Sequence, residues 1–157
     1  MARSDARRIP DSSKLLRFFG RADDAADHLE DAMSILSLVS KVIKGAENIS
    51  FIQQLADQMV ECVQEFIRCI ENGVSATRTG TQADMDDFLN SADRMVNLEH
   101  QADDLYRITR EKLVVSTSDF RELFLLMELA NMIESTTNSL THGAQILRNY
   151  IMELSLE

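Results

Sequence analysis

Three stretches of this chain carry oxygen-bearing side chains four residues apart in a common frame: ADDAADHL at 22–29, LEHQADDL at 98–105 and IESTTNSL at 133–140. Each reads apolar, acid, two free positions, Ala or Thr, Asp or Asn, one free position, Leu. The pairs are Asp23 with Asp27, Glu99 with Asp103, and Glu134 with Asn138. On a helix such residues are neighbours, and two like charges there destabilise by about 0.2–0.5 kcal/mol. A cation would turn that repulsion into shared attraction. Carboxylate oxygens suit hard cations such as magnesium, calcium, manganese or ferric iron. In each stretch the acid directly follows a residue of the apolar stripe, Ala22, Leu98 or Ile133. It therefore stands about 100° from that residue, at the border of the buried face. Oxygen ligands of adjacent helices would then meet along one edge of the fold. A looser fourth stretch, ADQMVECV at 56–63, adds Asp57 and Glu61. The alternative is a solvated acidic face, common in a chain with 27% charged residues.

His28, His100 and His142 each lie four residues from Asp24, Asp104 or Asn138. They add candidate nitrogen ligands, with a surface ion pair or hydrogen bond as the alternative. No Glu has His three residues later, the pattern that ferritin-like di-iron oxidases use. A Gly-rich phosphate loop, a four-Cys metal site and a hydroxyl nucleophile in a known motif are also missing. A non-enzymatic protein is expected.

The elements that must position these residues are helices. The hydrophobic fraction of 45% excludes disorder, while one Pro, five Gly and no Trp leave little material for the turns of a β-rich fold. At 157 residues the chain suits one domain. Four helical segments are predicted. The first spans 13–44, with Phe19, Ala22, Ala26, Leu29, Met33, Leu36 and Ile43 as its stripe and Gly45 as a C-terminal cap. The second runs over 49–77 with Leu55, Met59, Cys62, Phe66 and Cys69 at core spacing. Thr81 and Asp84 form a capping box before the third, which ends near Val115. STSD at 116–119 breaks the chain before the fourth, at 119–152, whose stripe is Ala130, Ile133, Thr137, Leu140, Ala144 and Leu147. Short connections predict an antiparallel up-down bundle of four long helices, an all-α fold.

Both cysteines, Cys62 and Cys69, read as small core residues and suggest a reducing compartment. No apolar run reaches the roughly 20 residues that span a bilayer, so a cytoplasmic protein is expected. Residues 1–21 carry six basic and two acidic side chains, against ten basic and twenty-four acidic in the remainder. The acidic body excludes nucleic acid as a partner, and the basic arm over 1–12 supports at most peripheral membrane contact.

With the motifs in view, LEHQADDLYR and ADDAADHLEDA resemble the PhoU-like proteins, in the branch of phosphate transport regulators. That resemblance covers nearly the whole chain. It implies two tandem three-helix bundles whose acid-x-x-x-Asp motifs bind metal clusters, usually iron or zinc. It matches 13–44 to the last helix of a first bundle and 47–157 to a complete second one. Asp23, Asp27, Glu99 and Asp103 carry over as ligands. Glu134 follows with Asn138 standing where the family has Asp, and Glu128, about one and a half turns earlier, is a substitute oxygen donor. The implied cofactor is a metal ion or cluster, iron or zinc first, then magnesium, manganese or calcium. The implied partners are a phosphate transporter or its signalling partner, and phosphate itself. Without two preceding helices the first helix exposes Phe18, Phe19, Leu29, Met33 and Leu36. It must therefore join the other three or cover itself with a second chain, and a homo-oligomer is expected. The competing reading is a helical interaction module without metal.

Overall fold

The computed structural model describes residues 12–44 and 46–155. These form four helices: α1 (Ser12–Val42), α2 (Ala46–Thr79), α3 (Gln82–Ser116) and α4 (Phe120–Ser155). The expected boundaries hold to within about three residues. The basic arm up to residue 11 and the expected cap Gly45 lie outside the described residues. Among those described, no helix is long and apolar enough to cross a membrane.

The punctuation follows local chemistry. Gly80 adopts φ +63, a left-handed conformation that suits glycine, and ends α2. Thr81 caps α3, its hydroxyl accepting from the Asp84 amide at 3.2 Å. Asp119 opens α4 by accepting from the Arg121 amide at 2.9 Å and the Glu122 amide at 3.4 Å.

α2, α3 and α4 pack on one another, whereas the backbone of α1 approaches that of α4 alone. Ion pairs join the start of α1 to the end of α4, through Lys14 and Glu153, and the end of α1 to the start of α4, through Lys44 and Asp119 at 2.8 Å. Two apolar clusters fill the interior. One gathers Phe18, Cys62, Phe66, Phe88, Met95 and Leu147; the other gathers Val39, Ile52, Leu55, Leu113, Leu126 and Ile133. Between them, α4 buries Thr136 and Thr137, whose hydroxyls donate to the Met132 and Glu134 carbonyls at 2.9 and 2.7 Å.

The stripes of α2 and α4 are buried as their spacing predicts, apart from half-buried Met59. Both cysteines are fully buried, and burial pushes their thiols up to about 11 for Cys62 and about 12 for Cys69. They are inert core residues. α1 departs from expectation. It buries Phe18, Ala25, Ala32 and Val39, one position before the predicted ridge, and leaves Phe19 61% and Met33 65% exposed. The cause is its single backbone neighbour. One contact line covers a narrow strip, and the apolar band on α1 is wider than that strip.

Candidate metal centre

The α3 and α4 stretches lie side by side. Thr141 donates to the Met95 carbonyl at 3.5 Å, and Tyr106 donates to the Asn131 side-chain oxygen at 3.4 Å. These two bonds bracket the segment that holds Glu99 and Asp103 on α3 with Glu134 and Asn138 on α4. The level is the one where Thr136 and Thr137 separate the two apolar clusters. Side chains of Glu99 and Asp103 are 25% and 45% exposed, which sets them at the rim of the interior.

Electrostatics report the same proximity. The Glu134 carboxyl has its pKa raised, first by burial and then by the negative charges of Asp103 and Glu99; the hydrogen bond from the Asn138 amide opposes the shift. The negative charges of Asp103 and Glu99 on α3 thus reach the Glu134 carboxyl on α4. Glu99 also adds its charge to the environment of Cys62.

Repulsion between Glu99 and Asp103 has an answer within the chain. Arg107, one turn after Asp103, reaches Asp103 at 3.0 Å and Asp104 at 2.7 Å. Among the described residues, Glu99 has only the His100 imidazole, at 3.6 Å. Among the described residues, no group of three or more His, Cys, Asp or Glu side chains is gathered closely enough to hold a metal ion. The donor chemistry of this segment, three carboxylates on two neighbouring helices, is of the kind that suits a hard cation. To take a cation, Asp103 would have to release Arg107.

The other candidates lie apart. Asp23 and Asp27 are exposed on α1, two positions before and after buried Ala25. Each is turned about 200° from Ala25, so both point away from α4. Among the described residues neither has a hydrogen bond or ion pair to another side chain. Glu128 is half-buried on α4, but six residues turn it about 120° from Glu134. Asp57 and Glu61 are exposed on α2, and His100 and His142 are exposed as well. His28 is half-buried, its Nδ1 without a hydrogen-bond partner among the described residues.

Glu65 is a buried charged residue that pattern reading misses, as is Glu122 at the start of α4. Glu65 is 4% exposed, three positions after Cys62 and directly before Phe66, so it lies within the core spacing of α2. Arg68 from its own helix donates to it at 3.0 Å, and Arg94 of α3 stands 3.0 Å from its other oxygen. This pairing ties α2 to α3 beside a groove of about 460 Å³. The acid-x-x-Arg spacing at 65–68 was its available signal.

No family model, curated protein or solved structure matches the chain.

Proposed function

We propose that this chain is a PhoU-like, metal-binding regulator or adaptor without enzymatic activity, acting in the cytoplasm on a phosphate transporter or its signalling partner. The fold reading is an antiparallel up-down bundle, supported by the Lys14–Glu153 and Lys44–Asp119 pairs and by the Thr141–Met95 and Tyr106–Asn131 bonds. The observation that supports the metal reading is that the Thr141–Met95 and Tyr106–Asn131 bonds bring together the α3 and α4 segments holding Glu99, Asp103 and Glu134, whose charges act on one another. A cation there relieves all three at once. Iron or zinc is the first choice by resemblance, and the all-oxygen donor set suits ferric iron better than zinc. The competing reading, an interaction module without metal, is favoured by Arg107, which already neutralises Asp103.

Thermal melting separates them. A cation that binds only the folded state stabilises by about 2.7 kcal/mol at a hundredfold excess over its Kd. That corresponds to a rise of roughly 5–10 °C for a chain of this size. Glu99→Gln with Asp103→Asn is expected to abolish the rise. Without metal, Glu99→Gln alone is expected to gain about 0.2–0.5 kcal/mol at pH 7 by removing a like charge. The pKa of Glu134 is raised in the fold, so its contribution favours folding below its ordinary value of 4.5 and is lost as pH rises through the raised value. The part of the Glu99→Gln gain that comes from Glu134 should therefore fade as pH falls through that raised value, where Glu134 takes up a proton. A wild-type melt that ignores iron, zinc and manganese alike would leave the interaction module standing.

A further inference from the structure

We propose that the groove between α1 and α2 is a docking site for a basic amphipathic helix supplied by a partner protein. The backbones of these two helices do not approach each other, yet the Phe18 and Phe66 rings stack across the gap at 5.8 Å. One position beyond each ring an exposed apolar ridge runs at seven-residue spacing. On α1 it comprises Phe19, Ala26 and Met33; on α2 it comprises Val60, Ile67 and Val74, exposed by 47%, 50% and 50%. With α1 and α2 running in opposite senses, the fold reading given above, a step of one residue past each facing ring turns both ridges to the same side. The groove then has two apolar walls about 21 Å long, at 1.5 Å per residue over fourteen residues, enough for four turns of a third helix. A helix laid in such a groove would read it through anchors at i, i+3, i+4 and i+7.

Charge decides what kind of helix fits. Asp23 and Glu30 stand four residues after Phe19 and Ala26, Asp27 directly follows Ala26, and Glu71 stands four after Ile67. These acids are exposed, and no described basic side chain forms an ion pair with them. A second copy of this chain would bring the same acids against them, at a repulsive cost, whereas Lys and Arg flanking an apolar stripe would complement both rims. The proposed metal edge of Glu99, Asp103 and Glu134 lies outside this groove, whereas the groove rests on the antiparallel fold reading.

The test uses a labelled 21-residue peptide with Leu at helical core spacing and Lys on its flanks, and a twin with Glu in place of Lys. Fluorescence anisotropy with the full chain should show the Lys peptide bound and its Kd raised at least tenfold by Phe19→Asp with Ile67→Asp. Both substituted positions are exposed, and circular dichroism checks that the double variant is folded. Asp23→Lys with Glu30→Lys should move the preference to the Glu peptide. Glu99→Gln with Asp103→Asn should leave binding unchanged, which keeps this result separate from the metal test. Equal affinity of wild type and double variant for the Lys peptide would overturn the proposal. So would a wild-type dimer in sedimentation that the double variant turns into a monomer, because a second copy would then fill the groove.

Discussion

Replacing Phe88 by Ala is expected to cost about 3–5 kcal/mol of folding stability, measured by urea denaturation. Phe88 is fully buried and stands where three helices meet. A methyl group on Gly73 of α2 would lie 3.2 Å from the Phe88 ring and 2.7 Å from the Cδ1 of Ile151 on α4. The ring thus fills space that the glycine leaves open, and its removal creates a cavity that three long, well-anchored helices cannot close cheaply. The same geometry predicts coupling. Gly73→Ala overpacks the wild type, at a cost of about 1–3 kcal/mol set against the roughly 1 kcal/mol that Ala gains over Gly within a helix. In the Phe88→Ala background the added methyl loses its contacts with the ring and meets only the Cδ1 of Ile151, so the two changes should fall short of additivity by about 0.5–3 kcal/mol.

Asn48→Ala is the second large effect, expected at about 2–3 kcal/mol. Asn48 is 5% exposed at the start of α2, and its amide donates at 3.1 Å both to Glu122 of α4 and to Thr117 in the connection before it. Its own oxygen accepts from Ser116 at 2.7 Å. Glu122 is 4% exposed, and without Asn48 its carboxylate keeps, among the described residues, the long 3.4 Å bond from the Lys44 amide and its place at the α4 N-terminus. A buried charge that loses a donor keeps its desolvation cost without the compensation. Removing Glu122 as well should recover part of the loss, and a double-mutant cycle by denaturant melting reads that coupling.

These two sites mark where sequence reasoning reaches and where it stops. Helical periodicity and capping chemistry are local, so the helices, Thr81, Asp119 and the stripes of α2 and α4 could be read directly. Asn48 and Glu122 could not, because each is polar and becomes tolerable inside through partners distant in sequence, and the burial of Glu65 depends in part on Arg94 of α3, which its local pairing with Arg68 does not reveal. The contact face of α1 was misjudged by one residue for a related reason. Two adjacent ridges are apolar, and the choice between them depends on how many helices surround α1. At the candidate site, the charges of Asp103 and Glu99 reach the Glu134 carboxyl because α3 and α4 are neighbours, which spacing along one helix does not state. Spacing within a helix says nothing about rotation around it, which is why Asp23 and Asp27 face outward. Arg107 was visible at the i+4 position from Asp103, where an acid followed by a base pairs along a helix.

The most direct test of the metal reading is diffraction from crystals grown with iron or zinc, with anomalous data collected at each absorption edge. The account predicts a peak among the carboxylates of Glu99, Asp103 and Glu134, with the guanidinium of Arg107 moved off Asp103. No peak there at either edge, with Arg107 still seated on Asp103, would contradict it.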